Sequence, residues 1–180
     1  SEEQIIEGCR KNDRKAQKML YDRYASVMLG ICMRYTKSRS EAEDVLQDGF
    51  VKIFLRMKQY KAEGSFEGWM KRAMVNTAIS NYRKNLKHYY QQNIGDYTEA
   101  NIDSSIHDSD FTCEEMLEII RELPDGYRVV FNLFAVEGYK HKEISDILGI
   151  DISTSKSQFS RAKKIIQKKL KVLSVERTIA

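Results

Sequence analysis

The chain runs to 180 residues, 42% hydrophobic and 10% aromatic, which suffices for one domain or two small ones with cores of their own. Its formal net charge of +4 is mildly basic, so the placement of charge tells more than its sum. No apolar run is long enough for a membrane span, no signal-like start is present, and the three cysteines and three histidines show no metal-ligand or catalytic spacing; we therefore expect a soluble, cytoplasmic protein with no membrane insertion, metal, cofactor or enzymatic activity.

One proline, nine glycines and few alternating β-branched runs predict an all-α chain. Ser1 can cap a short helix through Ile5, Ile6 and Cys9. After Asn12 and Asp13 a second helix opens, with Ala16, Met19, Leu20, Tyr24, Val27, Met28, Ile31 and Tyr35 at steps of three and four. Thr36 to Arg39 end it, and Ser40 with Glu43 forms the pattern of a capping box for a third helix. Its core stripe is Ala42, Val45, Leu46, Phe50, Ile53, Phe54 and Met57. Asp44, Asp48, Val51 and Leu55 follow one line away from that stripe, with Gln47 beside them. That line suits a docking face for another protein; scattered surface aliphatics, or cover by a further helix, would produce the same pattern. Cys9, Cys32 and Cys113 read as core thiols.

A short loop, Lys61 to Ser65, precedes a helix predicted from Phe66 to about Tyr90, with Phe66, Trp69, Met70, Ala73, Met74 and Thr77 toward the core. Another side repeats Arg72, Asn76, Ser80, Arg83 and Lys87, a mainly basic ribbon. From Arg56 to Tyr90 there are eight Lys or Arg against two Glu, and Tyr82, Tyr89 and Tyr90 lie near the ribbon. Cations interleaved with aromatics suit single-stranded nucleic acid, whose phosphates attract charge and whose unstacked bases attract flat rings, although a solvated helix face has a similar composition.

From Asn93 to Ile120 the balance inverts to eight acidic residues with no Lys or Arg, and most of the part before Cys113 lacks helical periodicity. This predicts two small helical domains, 1–92 and 113–180, joined by a flexible acidic linker over 93–112. Beyond Glu114, Met116, Leu117, Ile120 and Leu123 form a helical stripe, Pro124 breaks it, and Tyr127, Val130, Phe131 and Phe134 lead to Gly138.

The last stretch, His141 to Lys171, reads as a helix-turn-helix. Ile144, Ile147 and Leu148 share a face, Gly149 can take the positive φ that ends a helix, Ile150 points inward, and Ser153 can cap the next helix. Phe159, Ala162, Ile165, Ile166 and Leu170 form the buried stripe of that helix, opposite Lys156, Ser157, Ser160, Arg161, Lys163, Lys164 and Lys168. Between Ser153 and Val175 there are seven Lys or Arg and no acid, a field of one sign for a polyanion. Ser155 stands where such helices usually bury an aliphatic side chain, so the packing there is expected to be looser or more polar.

Three segments in this order, AEDVLQDGFVKIF at 42–54, SFEGWMKRAMVNTAISNYRK at 65–84 and EGYKHKEISDILGIDISTSKSQFSRAKK at 137–164, resemble the extracytoplasmic-function (ECF) sigma factors of the sigma-70 superfamily. The resemblance implies a sigma-2-like and a sigma-4-like domain, and partners in core RNA polymerase (the β′ clamp helices and the β flap), promoter DNA and an anti-sigma factor. It implies clamp-helix contact through Asp44, Gln47, Asp48, Val51 and Leu55. It implies minus-10 reading through Lys61, Ser65, Phe66, Trp69, Arg72, Asn76 and Arg83, where a captured, flipped base melts the duplex. It implies minus-35 reading through Thr154, Lys156, Ser157, Ser160, Arg161, Lys163 and Lys164. Ser80, Ser155 and Gln158 depart from the usual family residues, so base preference is expected to differ. A lone helix-turn-helix repressor and a helical adaptor for acidic proteins are the rival readings; neither accounts for the order of all three segments.

Overall fold

A computed structural model describes residues 1–89 and 111–179, and among them every regular element is helical. They form two compact units, Ser1–Tyr82 and Arg83–Ala180. The expected linker, 93–112, lies outside the described residues except for Phe111 and Thr112, and so does Tyr90.

In the first unit, α1 (Glu2–Arg10) is capped by Ser1 and α2 (Arg14–Tyr35) by Asp13, whose carboxylate accepts from Lys15 N at 2.9 Å. Gly8 is where the two helices touch: a Cβ there would stand 2.5 Å from the Cβ of Ala16. Thr36 stops α2 by donating its hydroxyl to Cys32 O. α3 (Arg39–Arg56) then begins at once, so its cap is Ser38 rather than Ser40: Ser38 Oγ accepts from Glu41 N at 3.2 Å, and Glu41 reaches back to accept from Lys37 N at 3.0 Å. A 3₁₀ turn at Met57–Gln59 leads to the loop before α4 (Phe66–Tyr89).

Leu20, Met28, Ile53, Met57, Met70 and Met74 fill the centre of this unit. Burying each such side chain is worth roughly 1.5–3 kcal/mol before ordering entropy is subtracted. The stripe predicted for α2 is too wide, since Met19 and Val27 are exposed while Cys32 is fully buried in their stead. Phe54 and Trp69 are only half-buried, whereas Val75, Ala78 and Ile79 join the core.

In the second unit, Thr112 caps α5 (Cys113–Arg121) with a reciprocal pair: its Oγ accepts from Glu115 N at 3.2 Å while Glu115 accepts from Thr112 N at 2.8 Å. Cys113, at the first turn, is exposed and not a core thiol; Cys9 and Cys32 are buried. Pro124 precedes α6 (Asp125–Phe131), a π turn follows at Asn132–Val136, and α7 (His141–Leu148) and α8 (Ile152–Ile179) complete the unit. Ile119, Leu123, Ala162, Ile166 and Leu170 form one cluster of its core, with Phe111 packed against them, and Val129, Val130, Leu133 and Ile144 are fully buried as well. Arg128 is buried beneath α5: it donates to Arg121 O at 2.6 Å and Leu123 O at 3.0 Å and pairs with buried Asp125. A cation held at the carbonyl end of a helix is electrostatically favourable.

Candidate polymerase and nucleic-acid interfaces

The outer side of α3 is open. Asp44, Gln47, Asp48, Val51 and Leu55 are all exposed, and Leu55, at 78% exposure, is covered by no helix of its unit. The inner side of the same helix holds Val45, Leu46, Phe50 and Ile53 in the core, which fixes the roll of α3 and so the direction of the outer line. Two aliphatics beside two carboxylates make a surface able to take an apolar partner flanked by cations.

The loop from Lys61 to Ser65 is exposed throughout, and an aromatic base supports it. Tyr60, Phe66 and Trp69 pack together, with Tyr60 at 5.0 Å from Phe66 and 5.4 Å from Trp69, centroid to centroid, and the Tyr60 hydroxyl donates to Gly64 O at 2.8 Å. Arg10 of α1 donates to Tyr60 O at 2.7 Å, tying the base of the loop to the first helix. Within the loop Ala62 has φ of +58°, a left-handed conformation that costs a non-glycine residue on the order of 1 kcal/mol. Ser65 caps α4, its Oγ accepting from Gly68 N at 3.2 Å.

Beside the loop a cleft of about 460 Å³ is lined by Glu2, Arg23, Tyr24, Val27, Tyr60, Gly64, Ser65, Phe66 and Glu67. Phe66 is 3% exposed, so it forms the wall of this cleft rather than a free surface. Tyr24 donates to Glu2, and desolvation, then that bond, raise its pKa to about 12. Along α4, Arg72, Asn76, Ser80 and Arg83 are exposed in register, with Trp69 half-buried at the start of the line. Tyr82 is half-buried, while the side chains of Lys87 and Tyr89 lie outside the described residues.

In the second unit Gly149 takes φ of +68° and its N–H donates to Ser145 O at 2.9 Å, which closes α7 as the sequence predicts. α8 starts two residues earlier than expected. Ser155 N donates to Asp151 O at 3.0 Å, so Asp151 stands at the cap and Ser153 lies within the first turn. Ile150 is half-buried. Lys156, Ser157, Ser160, Arg161 and Lys163 are exposed on one side of α8, while Thr154 and Lys164 are half-buried at its margins. Ser157 donates to Thr154 O at 3.0 Å, and Arg161 donates to Tyr127 Oη at 3.3 Å, which orients the guanidinium.

Ser155 is fully buried and hydrogen-bonded to His141 Nδ1 at 2.9 Å, so the joint of the two helices is polar, as its side chain predicts. The part of His141 in that joint is not legible from its isolated place in the sequence. A groove of about 630 Å³ between α5 and α8 has Ile119, Ile165, Val172 and Leu173 as its apolar lining. Among the described residues there is no cluster of His, Cys, Asp and Glu that could hold a metal, and no helix long and apolar enough to cross a membrane.

Comparison with known proteins finds a match for each unit. The family profile of Sigma-70 region 2 matches residues 20–87, and that of Sigma-70, region 4, matches residues 113–166. The ECF RNA polymerase sigma-E factor of Haemophilus influenzae is 27% identical over 184 residues, covering 96% of this chain and 97% of that protein. The ECF RNA polymerase sigma factor SigW of Bacillus subtilis is 25% identical over 179 residues, covering 93% and 96% respectively. Among solved structures, the sigma factor RpoE from Bartonella quintana, in complex with the anti-sigma factor NepR, shares the fold with a TM-score of 0.51 at 20% identity, covering 86% of this chain and 96% of that one. Matched in both units, in the same order and nearly end to end, the chain belongs to the extracytoplasmic-function group of sigma-70 family sigma factors.

Proposed function

We propose that this sigma factor joins core RNA polymerase through the outer side of α3, reads a minus-10 element with the loop 61–65 and α4, reads a minus-35 element with α8, and begins strand separation by holding an unstacked base. Promoter-specific initiation is the work of the family to which it belongs; the assignment of surfaces is our own. The observation that carries it is the uncovered line Asp44, Gln47, Asp48, Val51 and Leu55. A repressor that binds duplex DNA by itself has no use for such a face, and exposed aliphatics in line are what a docking helix offers.

The cleft beside the loop supports the melting step. It has room for a base and is walled by Tyr24, Tyr60 and Phe66. Stacking a flipped base there lowers the free energy of the open strand by roughly 1–3 kcal/mol, so binding alone can favour opening without a fuel. Arg72, Asn76 and Arg83, exposed along α4, then follow the same strand. In α8, Lys156, Ser157, Ser160 and Arg161 take base edges and Lys163 and Lys164 take phosphates. The apolar groove between α5 and α8 is the surface of the second unit with room for the β flap. Non-enzymatic action in the cytoplasm, beside the genome, and control by an anti-sigma partner complete the reading.

The test is transcription from a promoter library by purified bacterial core RNA polymerase with and without the protein, transcripts being sequenced. Specific initiation with two shared upstream motifs is the expected result. Binding to core enzyme without any change in transcripts would sink the promoter-reading role.

A further inference from the structure

His141 and Ser155 meet at the joint of the helix-turn-helix, and neither belongs to a surface assigned above. Ser155 is completely buried in the first turns of α8, and His141 opens α7; a hydrogen bond of 2.9 Å joins Ser155 Oγ to His141 Nδ1. The imidazole lies against Phe134 of the π turn, with centroids 4.3 Å apart and planes 15° apart, and meets Phe159 of α8 edge-on at 5.9 Å. Phe134 and Phe159 also touch each other at 4.5 Å. Two aromatic contacts therefore fix the plane of the ring, and Nδ1 within that plane faces one hydroxyl.

Ser155 and Phe159 are four residues apart, so both lie on the inner side of α8. Lys156, Ser157, Ser160 and Arg161 are exposed on the other side. A hydrogen bond weakens steeply when its geometry is lost, whereas an aliphatic side chain at the same place can slide on its neighbours with little loss. With side chains reaching about 5–6 Å from the helix axis, a roll of about 20° carries their tips about 2 Å, enough to break a bond to a base edge.

We infer that the His141–Ser155 pair sets the roll of α8 and thereby the base preference of the upstream promoter element. Both are positioning residues and touch no DNA. The inference rests on the reading of α8 as the minus-35 reader, and Ser155 is the place where this chain departs from an apolar joint.

The test uses holoenzyme assembled from core RNA polymerase and the full chain, offered promoters randomised across the upstream element, with wild type beside the double variant His141→Phe with Ser155→Val. The double change keeps a flat ring and supplies an aliphatic neighbour, so it removes the directional bond while leaving the joint filled. We expect unchanged helix content by circular dichroism and affinity for unrelated duplex within about twofold. Discrimination of the best sequence against single mismatches should fall about tenfold, or the order of preferred bases should change. Ser155→Thr, which keeps a hydroxyl beside His141, should retain the wild-type order. An unchanged order of sequences in the folded double variant overturns the inference while leaving α8 as the reader. A wild-type holoenzyme with no upstream preference overturns the reading of α8 and the inference with it. Should the double variant not fold, Ser155→Ala is judged by the same change of order.

Discussion

His141 is a titratable group at the joint of α7 and α8. Desolvation at the joint, and then the charge of Lys156, lower its pKa from the ordinary imidazole value. The unfolded chain therefore binds the proton more readily than the folded unit, so this contribution to stability is present above the ordinary pKa of about 6.5 and is lost as pH falls through the lowered value. Thermal melts from pH 7.5 to 5 should show a decline that His141→Phe flattens; an equal decline in that variant would assign it to other groups. The cysteines divide in the same way by environment. Cys113 is exposed, while burial raises the pKa of Cys32 to about 12 and also raises that of Cys9. A thiol reagent should modify Cys113 in the native protein and reach Cys9 and Cys32 only with denaturant, because only the thiolate attacks. Rapid native labelling of Cys32 would contradict the packing described.

At the level of elements, α3 and α8 each carry two faces, and a substitution on the outer one should spare the fold. Leu55→Arg places a cation in the apolar part of the proposed docking face, on a side chain 78% exposed. Affinity for core polymerase should drop at least tenfold, about 1.4 kcal/mol, with the melting temperature unchanged. Normal core affinity would remove α3 as the docking helix. Arg161→Ala tests α8: if Arg161 leaves Tyr127 to reach a base edge, binding to the preferred upstream duplex weakens by roughly 1–3 kcal/mol and discrimination relaxes. A loss equal on all sequences, with the salt slope reduced by about 1, would make it a phosphate contact instead.

At the scale of the whole molecule, each unit has a core and helix caps of its own. Arg128→Ala should therefore act on the second unit. It leaves Asp125 buried without its cation and removes the donor to Arg121 O and Leu123 O, changes that together cost about 3–5 kcal/mol. Calorimetry should show the transition of the second unit lowered or lost and that of the first retained. A uniform shift of both would mean that the units fold as one.

Periodicity was enough to predict an all-α chain, the order of its helices, most of the inner stripes of α3 and α8 (Phe54, Phe159 and Ile165 are only half-buried) and the turn at Gly149, since each depends on side chains within one or two helical turns of one another. Composition likewise located the basic ribbon of α4 and the one-sign field of α8. Where two elements meet, sequence was silent or misleading. Gly8 weakens α1 locally, and its reason is the Ala16 Cβ of a different helix. Ser40 and Ser153 are as good caps as Ser38 and Asp151 by residue type, and the place where the preceding element stops decides between them. Met19 and Val27 fit the helical period of α2 yet face outward, because the neighbouring helices cover only part of that stripe. The His141–Ser155 joint shows the same division: the Ser155 hydroxyl enters the interior because a side chain from another helix satisfies it, and that pairing exists only in the folded protein.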